Sequence, residues 1–486
     1  MLIASRKPIF LCPLLLAIGA LLLGTNTGTA EDTSKPNLLF ILVDDFGARD
    51  LGCYGSDLYQ TPNMDRLAKE GMKFTQAYAA HPRCVPSRYA IFSGRIPGRD
   101  GVPGFEDRKV SKHTLKLPTI TWGEVLKDAG YSTGYIGKWH LGKAGGEPDK
   151  QGFDDSRIAN QAGAPPSYFY PFDEARKPGG KEHFPKVEGT PDEYLTDRLT
   201  EESLDFIEQN KDKPFALVLA HYAVHTPLEA PEQTVDQYSK RIKEMGREVA
   251  EGRKDKDIKT VGNGSFKTVQ NNPTYAAMVD HVDQGIGKIL NKLETLGILE
   301  NTIIVLTSDH GGLSTRSKDN GRPLATSNSP FRNGKGWLYE GGVRVPLIVR
   351  WPGRVKPGTE STYPVLGTDH YPTFLNMLGA AVPAEAKIDG INYLPALKGE
   401  STERETLFFH SPLGRPTQTG DHPASAIIDG DWKLIELHQS GKFELYNLKS
   451  DPSEQKNLAE TEDDQLQKMI EKLKQLKQDL GTKQKS

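Results

Sequence analysis

Three stretches of the chain, residues 38–43, 215–220 and 302–307, are apolar almost throughout, and a fourth, residues 131–137, alternates aromatic with small side chains. Runs of this kind suit strands buried on both faces of a mostly parallel sheet, where neither face needs polar positions. Each run stops abruptly on polar residues. Residues 38–43 end on Asp44-Asp45, 131–137 on Lys138-Trp139-His140, 215–220 on His221 with His225 close behind, and 302–307 on Ser308-Asp309-His310-Gly311-Gly312. Between the strands the period becomes helical. Residues 119–129 place Ile120, Val125 and Leu126 on one side before Gly130, and residues 275–296 repeat Met278, Val279, Val282, Ile286, Ile289, Leu290 and Leu293 at helical spacing. Alternating strands and helices predict an α/β sandwich with its site at the carboxyl edge of the sheet, where residues far apart in the chain converge.

The pattern changes toward the C-terminus. Residues 236–272 mix both signs of charge with glycine and predict a solvated helix and loop. Residues 383–399 read as loop, and the short runs 424–428, 432–437 and 443–446 predict an antiparallel meander. Leu466, Met469, Ile470, Leu473, Leu476 and Leu480 then form one stripe of a final amphipathic helix. The expected organisation is a signal peptide over 1–30, a catalytic unit over 31–395, and a smaller α+β subdomain over 396–486 carrying the antiparallel sheet and the helix.

The N-terminus supports the first of these divisions. Arg6-Lys7 precede an apolar run over 9–23, and small residues ending Gly28-Thr29-Ala30 precede Glu31-Asp32, the order of an export signal. The run is shorter than the roughly 20 residues that span a bilayer and is broken by Pro13. The expected location is therefore the periplasm or the medium, with no integral membrane segment after cleavage. A net charge of −3 gives no pull toward nucleic acid or membrane. Of three cysteines, Cys12 leaves with the signal, so only Cys53 and Cys84 remain, which is no disulfide framework. Cys53, in Leu51-Gly52-Cys53-Tyr54-Gly55, reads as a small packed residue.

Two clusters carry candidate chemistry. Asp44, Asp45 and Asp309 at neighbouring strand ends would repel one another unless a cation sat among them, and oxygen ligands without a cysteine or histidine cluster at zinc spacing favour Ca²⁺ or Mg²⁺. An aspartate pair after a strand is also a common helix or turn cap. Cys84 sits between Pro82 and Pro86 in His81-Pro82-Arg83-Cys84-Val85-Pro86-Ser87-Arg88, which predicts a turn presenting the cysteine to a polar cleft. Its neighbours leave a thiolate nucleophile, a metal ligand and a modified residue open.

Cys84-Val85-Pro86-Ser87-Arg88 followed by Phe92-Ser93-Gly94-Arg95, together with Gly137-Lys138-Trp139-His140-Leu141-Gly142, resembles the two signature regions of the formylglycine-dependent sulfatases. The resemblance continues through Lys335-Gly336-Trp337-Leu338-Tyr339-Glu340-Gly341-Gly342-Val343-Arg344 to Glu444-Leu445-Tyr446-Asn447-Leu448 and Asp451-Pro452. It implies an alkaline-phosphatase-like α/β fold and oxidation of Cys84 to Cα-formylglycine by a maturation enzyme. One hydroxyl of the hydrated aldehyde attacks sulfur, and the other remains to expel sulfate. The resemblance also implies Ca²⁺, with Mg²⁺ less favoured, held by Asp44, Asp45, Asp309, His310 and the Cys84-derived diol. Arg88 would hold the diol, Lys138 and Lys335 the sulfate oxygens. His140 would act as base, and His225, in Ala223-Val224-His225-Thr226-Pro227, would protonate the leaving alcohol beside Lys335. His221 has no such match and reads as structural. Phe92 stands where the family usually has Leu, a packing change.

The expected substrate is a sulfated carbohydrate or another sulfate ester. Its recognition would fall to the loops 101–116, 161–186 and 409–423, with Tyr168, Phe169, Tyr170, Phe172, Arg176 and Lys177 either contacting a sulfated sugar or forming an ordinary lid. His410, Arg415 and His422 are further substrate-side candidates. The alternatives are a phosphonate or phosphate monoester hydrolase of the same superfamily and a sulfated-glycan binding protein that is never matured.

Overall fold

The computed structural model describes Met1 and residues 35–99, 115, 118–142, 146–174, 184–250, 256–261, 264–404 and 406–482. The expected signal peptide, most of the loop 101–116, Arg176 and Lys177 lie outside the described residues. From Lys35 the chain runs β1 (Asn37–Val43), α1 (Pro62–Glu70), β2 (Met72–Tyr78), α2 (Cys84–Ser93), α3 (Trp122–Asp128), β3 (Ser132–Gly137), β4 (Asp155–Arg157), α4 (Leu195–Asn210) and β5 (Phe215–Ala220). It continues through α5 (Glu232–Glu244), β6 (Ile258–Val261), β7 (Gly264–Lys267), α6 (Pro273–Thr295), β8 (Thr302–Ser308), β9 (Thr315–Ser317), α7 (Glu340–Val343) and β10 (Arg344–Arg350). The last part holds β11 (Thr359–Ser361), β12 (Val365–Leu366), α8 (His370–Met377), α9 (Leu394–Leu397), β13 (Leu407–Ser411), β14 (Ala424–Asp429), β15 (Trp432–Leu437), β16 (Lys442–Asn447) and α10 (Asp463–Asp479).

The main sheet has the order β11-β2-β10-β8-β1-β5-β3-β4, with β12 also paired to β2. β10 runs antiparallel to both β8 and β2, and the other pairings are parallel. The carboxyl ends of β1, β2, β3, β5 and β8 therefore share one edge with the amino end of β10. The apolar runs are buried on both faces as their composition requires. Along β1, Leu39, Ile41 and Val43 enter one core with α4 and α6, while Leu38, Phe40 and Leu42 enter the other with α3 and α8.

The second sheet is the antiparallel series β13-β14-β15-β16. Alternation splits its side chains in the same way: Ala426, Ile435 and Tyr446 pack against Tyr78, Ala90 and Val343 of the larger layer, and Ile427, Leu434 and Leu445 pack under Met469 and Leu473 of α10. The fold is thus a mostly parallel sheet sandwiched by helices, with a C-terminal antiparallel sheet and helix.

Two local expectations change. Cys84 is not in a turn but is the first residue of α2, because Pro86 falls in the first turn, where a helix needs no N–H. The helix stops at Gly94, whose φ of 67° suits a left-handed cap and whose N–H bonds Ala90 O at 2.9 Å. Within 236–272 the helix is present as α5, but the glycine-rich part forms the hairpin β6–β7, which pairs with β9. Phe92, at the far end of α2, stacks on Trp122 at 5.6 Å between centroids and meets Trp139 at 5.1 Å, so the aromatic ring fixes α2 against the neck of β3.

Candidate active site

The strand ends are stitched together beyond the sheet. Asp44 N–H donates to Ala223 O at 3.0 Å, Val224 N–H to Asp44 O at 2.9 Å, Asp309 N–H to Val43 O at 3.3 Å, and Lys138 N–H to Ala220 O at 2.8 Å. These bonds fix the first residue after each strand. Asp45 and His140 take φ of 59° and 60°, a left-handed conformation uncommon outside glycine. The turn places the two aspartates on different partners.

Cys84 is 7% exposed and lies at the centre. Its Sγ is 3.2 Å from His310 Nε2 and 3.6 Å from Lys335 Nζ. Lys335 Nζ donates to Asp45 Oδ1 at 2.5 Å, and Lys138 Nζ pairs with Asp44 Oδ2. Arg88 Nε donates to Asp309 Oδ2 at 2.9 Å and Nη1 to Lys138 O at 2.6 Å, with Nη2 3.8 Å from Asp44 Oδ1. His310 Nε2 is also 3.3 Å from Asp45 Oδ1 and 3.6 Å from Asp309 Oδ1. His225 Nε2 stands 3.8 Å from Asp45 Oδ2, and its Nδ1 bonds Thr226 O at 2.6 Å. His140 contacts the Cys84 thiol and packs on Gly163. All ten residues expected at the site are therefore brought to one edge.

The charges respond to this crowding in opposite ways. Burial, followed by Asp309, pushes Asp44 well above the usual carboxylate range despite Lys138. Burial also raises Asp45, but Lys335, His225 and His310 outweigh it and leave that carboxyl low. For Cys84, burial is opposed by Lys138, Lys335 and His310, which hold the thiol well below its ordinary value. Burial lowers His140 to about 4. Burial and then Lys335 bring His225 to about 3.

Ligand atoms of Asp44, Asp45, Cys84 and His310 lie within 4.8 Å of one another, a grouping able to hold a metal ion. Asp44 Oδ1 and Asp45 Oδ2 are buried without a hydrogen-bond partner, whereas Asp309 accepts from Asp45 N–H at 3.2 Å and from Arg88. Buried carboxylate oxygens left unpaired are costly, and a hard cation between them would satisfy both. The donor set fits such an ion.

Other candidates fall elsewhere. Tyr168 is buried and its hydroxyl donates to Tyr222 O at 2.7 Å and His225 O at 2.9 Å, so it braces the His225 loop from behind. Phe172 is also buried, and Phe169 packs on Tyr194. His410 bonds Ser425 within the second sheet at 2.8 Å. His221 is fully buried beyond β5, and neither ring nitrogen has a hydrogen-bond partner among the described residues. Two supports escaped the sequence reading. Ser87 donates to Asp309 O. Asp50 accepts from Tyr275 at 2.6 Å and Thr326 at 2.7 Å beneath the Asp45 turn, and only its position soon after Asp44-Asp45 hints at this.

A mostly parallel sheet that delivers carboxylates, lysines and histidines onto one buried cysteine defines a hydrolase of the alkaline-phosphatase-like superfamily. Residues 36–380 match the family profile Sulfatase, and residues 332–483 match N-sulphoglucosamine sulphohydrolase, C-terminal. The chain belongs to the sulfatase family and is a sulfuric ester hydrolase. It is 33% identical over 422 residues to N-acetylgalactosamine-6-sulfatase of Canis lupus familiaris, covering 82% of this chain and 73% of that one. It is 32% identical over 451 residues to steryl-sulfatase of Rattus norvegicus, covering 77% and 73%. The crystal structure of Ps i-CgsB is similar at a TM-score of 0.73 and 30% identity over 93% of this chain and 94% of that one, and that protein is also known in complex with k-i-k-neocarrahexaose. Among the described residues no helix is long and apolar enough to cross a membrane.

Proposed function

We propose that the chain is an exported sulfatase that removes sulfate from a sulfated carbohydrate, with a formylglycine made from Cys84 as nucleophile and Ca²⁺ as its ion. The observation that carries this reading is the burial of Cys84 between the carboxylates of Asp44 and Asp45 and the ammonium groups of Lys138 and Lys335. A carbohydrate is favoured by the relative named for a sulfated amino sugar and by the one solved with a carrageenan oligosaccharide.

Asp44, Asp45, Asp309 and His310 would hold the ion with the Cys84-derived group, and Mg²⁺, which dehydrates reluctantly, is the lesser fit. Held there, such an ion would acidify an attacking hydroxyl and neutralise sulfate charge. A hydrated aldehyde at position 84 would offer one hydroxyl to sulfur and a second whose proton could be withdrawn. Arg88, locked by Asp309 and Lys138 O, offers rigid donors to that group. Lys138 and Lys335 bind sulfate oxygens as point charges. His140, uncharged at neutral pH, accepts the second proton. His225, held through Nδ1 by Thr226, gives a proton to the departing alcohol, and an anionic substrate lying between it and Lys335 favours the charged ring.

The direct test is turnover by matured protein of an aryl sulfate beside an aryl phosphate, with mass analysis of the Cys84 peptide. Faster sulfate cleavage and an aldehyde at position 84 are expected. Preference for phosphate, or an intact thiol in active protein, would sink the reading. The ion makes its own prediction. Calcium added to chelated protein should raise the melting temperature, since saturation a hundredfold above Kd stabilises by about 2.7 kcal/mol. Asp45→Asn should lose most of that shift, and full activity in excess chelator would count against calcium.

A further inference from the structure

Arg83, directly before Cys84, has a side chain only 10% exposed. Its Nη2 donates to Asp421 Oδ2 at 2.6 Å and Thr419 Oγ1 at 3.4 Å, but Nε and Nη1 are buried with no partner among the described residues. A guanidinium half-satisfied in a buried place is a standing penalty that an anion would remove. The position is next to the catalytic loop. Gly336, the residue after Lys335, donates its N–H to Pro82 O at 2.9 Å, and a Cβ there would lie 3.0 Å from Arg83 Nη2.

Two more arginines belong to the same corner. Arg415 N–H donates to Asp421 Oδ2 at 3.2 Å, so Asp421 ties the Arg415 loop to Arg83. That loop is in turn bonded to the segment carrying Arg322, through Ser317 N–H to Gln418 O at 2.7 Å and Asn320 Nδ2 to Thr417 O at 3.1 Å. Arg322 lies within electrostatic range of Asp45, Arg83 and Asp421, and Arg415 within range of Arg83, Cys84, Asp421 and Arg322. Asp421 is taken by Arg83, and neither Arg322 nor Arg415 has an ion pair among the described residues. Asp421 thus pairs with the guanidinium of Arg83 and the backbone N–H of Arg415, and the charges of Arg322 and Arg415 stay uncompensated by an ion pair among the described residues in this corner.

We propose that Arg83, Arg322 and Arg415 form a second anion subsite, which takes a further sulfate or carboxylate group on the same substrate. The inference rests on the sulfatase reading and narrows it to esters carrying two anionic groups. Both groups match the guanidinium fork, and a single sulfate ester would leave the corner unused.

Calorimetry on the full-length Cys84→Ala protein with calcium tests it independently of turnover, using a hexosamine 6-sulfate, a hexosamine disulfate and a uronate–hexosamine 6-sulfate disaccharide. At least one dianionic ligand should bind about tenfold or more tighter than the monosulfate, and the preferred one identifies the group. Arg322→Ala and Arg415→Ala should each cut that advantage severalfold and steepen no melting curve. Equal affinities, absence of binding by either dianion, or an advantage that survives both substitutions would overturn the subsite. Aryl sulfate turnover by matured wild-type protein reads the parent assignment separately: turnover without a dianion advantage removes the subsite alone, and the advantage without turnover removes the sulfatase reading alone.

Discussion

Cys84→Ala is expected to lower sulfate-ester hydrolysis by about 10⁴-fold or more while leaving the fold in place, because it removes the nucleophile and little else. Position 84 opens α2, where alanine is at least as good a helix residue as cysteine. The thiol's neighbours keep other partners: Lys335 retains Asp45 at 2.5 Å, and His310 retains Asp45 at 3.3 Å. The melting temperature should therefore stay close to that of the wild type. Cys84→Ser separates attack from release. A serine hydroxyl can take sulfate from the ester but has no second hydroxyl with which to expel it. That variant should liberate at most one equivalent of alcohol and then stop, with the sulfate retained on the peptide by mass. Wild-type rates in Cys84→Ala, or sustained turnover by Cys84→Ser, would refute the proposed chemistry.

The parts of this site that sequence reveals are those set by parallel strands. A strand buried on both faces needs no polar residue until it leaves the sheet, so the change from Val43 to Asp44-Asp45 or from Ser308 to Asp309-His310 marks a strand end and a site residue together. Lys335 carries no such mark. It lies at the same edge only because β10 runs against its neighbours, and β10 reads poorly as a strand because Pro346 interrupts it where the register with β2 shifts. β2 is half-buried in an irregular pattern and gives an equally weak signal. The prolines around Cys84 look like breakers in sequence, and only the start of α2 shows Pro86 in a position that suits it. The partnership of Arg83 with Asp421 spans 338 residues and has no local signature at all. Tertiary closure alone makes it visible.

Arg88→Ala should be the most damaging substitution that leaves the nucleophile intact, with loss of about 3–5 kcal/mol of stability as well as activity. The Arg88 side chain is fully buried and touches Asp309, the Lys138 carbonyl and the neighbourhood of Asp44 together. Removing it leaves Asp309 charged and under-compensated where water cannot reach. Arg88→Lys keeps the charge but not the fork, since one ammonium cannot span these partners, so it should regain part of the stability and little of the rate. The pH dependence has a definite sign. Burial raises Asp309, but His310 and Arg88 outweigh it and hold the carboxyl below its unfolded value of 3.8. A depressed carboxyl contributes stability that is present above the unfolded value and fades as pH falls through the folded one. Without Arg88 that contribution shrinks, so the stability gap between variant and wild type should be widest near neutrality and narrow on acidification. Denaturant melts at neutral and acid pH measure this directly, and a gap that stays constant or widens in acid would mean that Arg88 acts through packing rather than through its charge.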